Sequence, residues 1–310
     1  MKVAVLEAAE LEQYVAAEVR ATVELPYGKG LERQFYKKHN TCDDLEEFIK
    51  HQVKLFWTKD RSITPKLLGL VYSDCFVTAI WKDKCHSSKE RTHQSRWRSG
   101  VQEHSREGVD SAVQRVTRGV PQVVMASVLL DNPNSEKKAP QNIGLGGFAF
   151  VDKLKIVVEA RCPEVVSCSD ILHLAAREAV HLAGAPSYSV LTGRRDGRGS
   201  SAASVDLPLP SISFESALSY FQSKGLNLVD ITTLLAKMRK KCPRKGQGDP
   251  PTFLNPDSGK NEESISLTQE FANGFEDFRK SWAYSMSRMG SIGVLTGTQG
   301  EIRHHCRYPN

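Results

Sequence analysis

The chain has 310 residues, of which 40% are hydrophobic and 25% charged, and its formal net charge at pH 7 is +6. These proportions describe an ordinary globular protein of one or two domains with a sizeable core, and no run approaches the ~20 apolar residues of a membrane-spanning helix. The cationic surplus admits an anionic partner, such as nucleic acid, pectin or a membrane surface, as well as a merely basic enzyme surface.

Residues 1–29 read as an acidic amphipathic extension, with Leu6, Tyr14 and Val15 on one face and Glu7, Glu10 and Glu18 among the charges. Thr41 with Asp44 predicts a capping pair ahead of Leu45, Phe48, Ile49, Val53 and Phe56, which recur at helical spacing. Thr64-Pro65 predicts the next helix start, with proline in the first turn, running through Leu67, Leu68 and Val71 to Ser73-Asp74-Cys75-Phe76-Val77. The texture then changes. Between 79 and 124 nine Lys/Arg face five Asp/Glu, bulky apolar residues are sparse and no period holds, so a loosely ordered basic insertion is expected.

Phe148, Val151, Leu154 and Val158 line one helix face, and Ser167 to Ala183 reads as a largely buried helix stopped by Gly184-Ala185-Pro186. Gly193-Arg194-Arg195-Asp196-Gly197 is a turn. Ser213 predicts the cap of a helix carrying Phe214, Ala217, Leu218 and Phe221 and closed by Gly225. Asp230 predicts the cap of Ile231, Leu234, Leu235 and Met238, before a basic, Pro/Gly-rich loop from Lys237 to Asn261. Ser266 with Gln269 then reads as a capping box opening one long helix through Phe271, Phe275, Phe278, Trp282, Met286 and Met289 to Gly290. No strand-rich block or repeat interrupts this pattern, and the fold class is mostly α.

Seven cysteines (Cys42, Cys75, Cys85, Cys162, Cys168, Cys242 and Cys306) stand far apart, with no CxxC pair to suggest a zinc ribbon or a thioredoxin-like site. Such spacing suits a few disulfides made in an oxidising compartment, with at least one thiol left over. Export would call for a signal, yet the apolar run Val3-Ala4-Val5-Leu6 is cut short by Glu7, so no recognisable signal peptide is read.

Several stretches, in the same order, resemble the class III secretory plant haem peroxidases. They are Asp74-Cys75-Phe76-Val77, Ala126-Ser127-Val128-Leu129-Leu130, Asn134-Ser135-Glu136-Lys137 with Pro140-Gln141-Asn142, and Cys162-Pro163-Glu164-Val165-Val166-Ser167-Cys168-Ser169-Asp170-Ile171-Leu172. They continue with Leu182-Ala183-Gly184-Ala185-Pro186-Ser187-Tyr188, Thr192-Gly193-Arg194-Arg195-Asp196-Gly197, Met286-Ser287-Arg288-Met289-Gly290, and Leu295-Thr296-Gly297 to Gly300-Glu301-Ile302-Arg303. The resemblance implies two mostly helical domains around haem b, with four disulfides and two calcium ions. It implies an extracellular enzyme that uses hydrogen peroxide to oxidise phenolic donors, in the response to oxidative stress. On this chain it maps a distal domain to 30–78 and 125–190 and a truncated proximal domain to 191–310, the C-terminal helix returning to the core. The extension 1–29 and the insertion 79–124 have no counterpart in it.

Carried over position by position, the resemblance exposes gaps. The distal motif Arg-x-x-x-His-Asp-Cys stands here as Gly69-Leu70-Val71-Tyr72-Ser73-Asp74-Cys75. The arginine is replaced by Gly69, which carries no charge. The histidine is replaced by Ser73, whose hydroxyl does not ionise near neutral pH; a family branch bearing serine is the other reading of that change. Tyr72 either points into the pocket or packs in the core. The proximal helix begins like Asp230-Ile231-Thr232-Thr233-Leu234-Leu235 but passes into Ala236-Lys237-Met238-Arg239-Lys240-Lys241-Cys242-Pro243, without the haem-ligating histidine. A second gap follows Asn255-Pro256-Asp257-Ser258-Gly259, where the proximal calcium loop and supporting aspartate belong. No iron ligand is therefore expected, and His51, His173, His181, His304 and His305 read as surface or core residues. Asp74, the Val77 carbonyl and Ser127 match part of the distal calcium site, Glu136 and Asn142 the relay behind the distal histidine, and Pro186 the contact for aromatic donors. Cys42–Cys162 and Cys168–Cys306 keep both partners of family disulfides; Cys75 and Cys242 have lost theirs, unless Cys85 adopts Cys75.

The expectation is a peroxidase-family chain that is inactive or severely impaired. The alternatives are a functional peroxidase with an atypical haem ligand, and a basic pseudo-enzyme that binds polyanions through 79–124, where Trp81 and Trp97 lie among the charges.

Overall fold

The structure, a computed structural model, describes residues 30–75, 125–205, 207, 212–237, 252–253 and 262–310. The N-terminal extension, the basic insertion and the residues Val77, Cys85 and Cys242 lie outside them. Helices α1 (Phe35–Lys38), α2 (Leu45–Trp57) and α3 (Ile63–Asp74) come first. Three 3-10 turns follow, at Ser127–Leu129, Glu136–Lys138 and Pro140–Asn142. Then come α4 (Phe148–Arg161), α5 (Cys168–Leu182), α6 (Phe214–Ser223) and α7 (Leu228–Leu235). Two short strands, β1 (Ala236–Lys237) and β2 (Thr252–Phe253), pair antiparallel, and α8 (Glu262–Asn273) and α9 (Phe275–Met289) complete the set. The mostly α expectation holds for the described residues.

Helix α5 is the hub of the packing. Ile171, Leu172, Leu174, Ala175, Ala176 and Ala179 are fully buried and point in several directions, as in a helix with neighbours all round. Its alanines let α2, α3 and α4 pack against it. Ser167 caps it by accepting the Asp170 amide at 3.1 Å, and Asp196 accepts the Cys168 and Ser169 amides at 3.0 Å each. An acidic group there also meets the positive end of the helix dipole.

Buried charge ties the loops to this hub. Asp170 accepts Tyr36 Oη at 2.7 Å, the Gly193 amide at 2.7 Å and Arg194 Nη1 at 2.8 Å. Gly193 makes this possible: its φ is 109°, and a Cβ there would stand 2.7 Å from the Gly30 carbonyl oxygen. Arg303 donates to the carbonyls of Cys306 at 2.6 Å and Ala126 at 2.7 Å. The disulfides Cys42–Cys162 and Cys168–Cys306 are formed, as expected.

Five local expectations need correction. Thr41 does not cap α2; its hydroxyl donates to the Tyr36 carbonyl, and Asp44 pairs with Arg161 instead. Thr64 lies inside α3, where Oγ1 donates to the Ala179 carbonyl and accepts Trp57 Nε1–H. Asp230 lies within the first turn of α7, and Asn227 exchanges amide hydrogen bonds with it at 2.8 and 3.0 Å as the true cap pair. Ser266 and Gln269 fall inside α8, not at a helix start. The expected single C-terminal helix breaks at Gly274, where Asn273-Gly274 combines two poor helix formers and Glu276 and Asp277 favour a new N-terminus.

Candidate functional site

Gly69 and Ser73 stand one turn apart on α3 and share a helix face. Gly69 is buried, and a Cβ added to it would come within 3.2 Å of Leu145 Cδ2. Any side chain at position 69 therefore requires Leu145 to shift. Ser73 is only 7% exposed, and its hydroxyl donates to Asn142 Oδ1 at 2.7 Å. Asn142 Nδ2 in turn donates to the Glu136 carbonyl at 2.9 Å. The structure thus brings Ser73, Asn142 and Glu136 together, but as a closed chain of hydrogen bonds ending on backbone. Neither Ser73 nor Asn142 accepts a proton from a substrate near neutral pH, because serine and asparagine do not titrate there.

Beside it lies a pair of buried carboxylates. Ser127 Oγ donates to Glu136 Oε1 at 2.6 Å, and burial still pushes the Glu136 pKa up to about 7. Asp74 is 4% exposed and neither carboxylate oxygen has a hydrogen bond of normal length. Burial, with repulsion from Glu136, pushes its pKa up to about 8, against a smaller opposing effect of the Ala126 amide. Tyr72 is fully buried in the hydrophobic core.

Calcium is the cation that the resemblance implies here. An orphaned, buried Asp74 suits a cation, but the Ser127 hydroxyl is committed to Glu136 and Val77 lies outside the described residues. Among the described residues no group of three or more acidic, histidine or cysteine side chains is placed to hold a metal. Calcium requires 6–8 oxygens, so the described set does not fit the whole ion.

Haem fits less well. Its iron needs an imidazole nitrogen with a free lone pair and a second, hydrogen-bonded nitrogen that orients the ring. His173 is 2% exposed and both ring nitrogens are engaged, Nδ1 with the Ser169 carbonyl at 2.9 Å and Nε2 with Cys75 Sγ at 3.5 Å. His39, His51, His181 and the adjacent His304 and His305 are exposed. On the proximal side α7 stops at Leu235 and the chain turns into β1. Its inner surface docks on α9 instead, through Asp230–Arg288 at 3.2 Å and Thr233 Oγ1–Ser285 Oγ at 2.9 Å.

Pro186 is half-buried in the loop after α5. That loop is fastened to α9 by Arg279 on the Gly184 carbonyl at 3.0 Å and Ser287 on the Ser189 carbonyl at 2.8 Å. Among the described residues Cys75 is free, its thiol facing His173, and the alternative of a bridge to Cys85 lies outside them. Sequence reasoning missed the Cys75–His173 contact; its one signal was a histidine inside an otherwise apolar, buried helix.

The sequence profile of the peroxidase family matches residues 47–239. Probable peroxidase 26 of Arabidopsis thaliana is 43% identical over 341 aligned positions, covering 89% of each chain. Probable peroxidase 61 of the same plant is 42% identical over 360 positions, covering 94% of this chain and 93% of its own. Peroxidase 62, also of Arabidopsis thaliana, is 30% identical across 92% of this chain. Alignments of 341 and 360 positions exceed the 310 residues available, so these relatives carry stretches that this chain lacks. With the helical hub, the two disulfides and these likenesses together, the chain belongs to the plant peroxidase family.

Proposed function

We propose that this chain keeps the peroxidase scaffold without its peroxide chemistry, so that hydrogen peroxide-dependent oxidation of phenolic donors is lost or severely impaired. The observation that carries the reading is the closed Ser73–Asn142 hydrogen bond, where the family places a distal histidine. General acid–base transfer by such a group is worth roughly 10²–10⁴ in rate, and a charged donor aimed at the departing oxygen roughly 10²–10³. Ser73 and Gly69 supply neither. The passage of α7 into Ala236-Lys237, where the resemblance places the haem-ligating histidine, favours a weakened hold on haem b as well. In this reading residues 30–78 and 125–190 form the distal domain and 191–310 an incomplete proximal domain. Asp74, Val77 and Ser127 are remnants of a calcium site, and Pro186 of a donor contact. The two long-range disulfides support maturation in an oxidising compartment, in keeping with an extracellular family. No helix among the described residues is long and apolar enough to cross a membrane. The test is guaiacol oxidation by hydrogen peroxide, with protein and one equivalent of haemin. The expected rate equals that of free haemin; turnover several orders of magnitude above it would defeat the proposal.

A further inference from the structure

Cys75 closes the C-terminal end of α3, its amide donating to the Val71 carbonyl at 2.9 Å, and its side chain turns inward to α5. His173 stands opposite, with Nε2 at 3.5 Å from Sγ. The imidazole lies where three elements meet. Cys75 of α3 is on one side, the Ser169 carbonyl of its own helix on another, and Gly290 after α9 on the third. A Cβ on Gly290 would come 3.2 Å from His173 Cδ2, so glycine there leaves the ring its room.

The protonation pattern follows from the partners. A carbonyl oxygen only accepts, so the 2.9 Å contact to Ser169 requires the proton on Nδ1. Nε2 of the neutral ring is then a lone pair, and among the described residues the Cys75 thiol is the donor that faces it. Cys75 and His173 are each only 2% exposed, so the contact is an S–H···N bond closed off from water.

We infer that Cys75 is kept as a reduced thiol hydrogen-bonded to His173, and that this contact fastens the end of α3 to α5. The thiol is then a structural donor, buried out of reach of reagents that attack an accessible sulfur. Neither alkylating agents nor peroxide should reach it in the folded chain.

The experiment labels the full, unreduced chain with iodoacetamide under native conditions and with N-ethylmaleimide after denaturation, followed by peptide mapping. The expected result is N-ethylmaleimide alone on Cys75. Iodoacetamide on Cys75, or a disulfide from Cys75 to Cys85 or Cys242, would overturn the inference. In His173→Phe, which keeps a ring but removes the acceptor, native labelling should accelerate roughly two- to tenfold, the range set by the net worth of one hydrogen bond. His173→Gln, with an amide oxygen to accept the S–H, should retain most of the protection. Unchanged labelling in folded His173→Phe, or no protection in His173→Gln, would also count against it. The wild-type mapping decides the thiol state even if a variant fails to fold.

Discussion

At the scale of single residues, Ser73 is satisfied and Asp74, its neighbour in sequence, is not. The Ser73 hydroxyl spends its proton on Asn142 Oδ1. Replacing it by alanine leaves that buried acceptor without a donor, and Ser73→Ala should lose about 1–3 kcal/mol in chemical denaturation. The same variant should leave the peroxide assay where it was, at the level of free haemin. Asp74 acts in the opposite sense. Its folded pKa is raised to about 8 from 3.8, so between those values the unfolded chain has released a proton that the folded chain retains. Stability from this group is complete below about pH 4 and drains away as the pH rises to 8. In calcium-free buffer, Asp74→Asn should flatten the decline in melting temperature over that window. An equally steep decline in the variant would show that Asp74 is ionised and compensated in the fold.

At the scale of elements, α7 shows what was legible in the sequence and what was not. Its apolar spacing and the abrupt change after Leu235 were visible in the residues, because periodicity is a local property. The identity of its cap was not: Asp230 and Asn227 are both good cap residues, and only the backbone decides which one stands outside the helix. The α8–α9 break was hidden for a related reason. The apolar residues from Phe271 to Met289 keep their helical spacing across Gly274, so the pattern gives no sign of the interruption. The disulfides and the absent distal pair came from the resemblance, since pairing of distant residues has no local signature. Residues 76–124 and 238–251 lie outside the described set, and the reading of them as a basic insertion and a basic loop rests on composition alone. Docking of α7 yields its own prediction. Asp230 is 1% exposed and Arg288 is its cationic partner. Arg288→Met leaves a buried carboxylate unpaired and should cost about 3–5 kcal/mol. Amide exchange over Leu228–Leu235 should quicken before the rest of the chain is affected; uniform exchange would contradict the local role.

At the scale of the whole molecule, the two disulfides join residues 120 and 138 positions apart in sequence. Each restricts a long unfolded loop and is worth about 2–5 kcal/mol, comparable to the net stability of a domain. Reduction under mildly denaturing conditions should therefore unfold the chain cooperatively, seen as loss of helical circular dichroism. Retention of the fold after complete reduction would show that the buried Asp170–Arg194 pair and the apolar hub suffice without them. The central claim concerns the iron. The most direct measurement is an equimolar haemin titration of the purified full chain, followed by absorption and electron paramagnetic resonance. The account predicts weak, unsaturated binding with no axial histidine signature. A saturating one-to-one complex with a high-spin, five-coordinate ferric spectrum would contradict it.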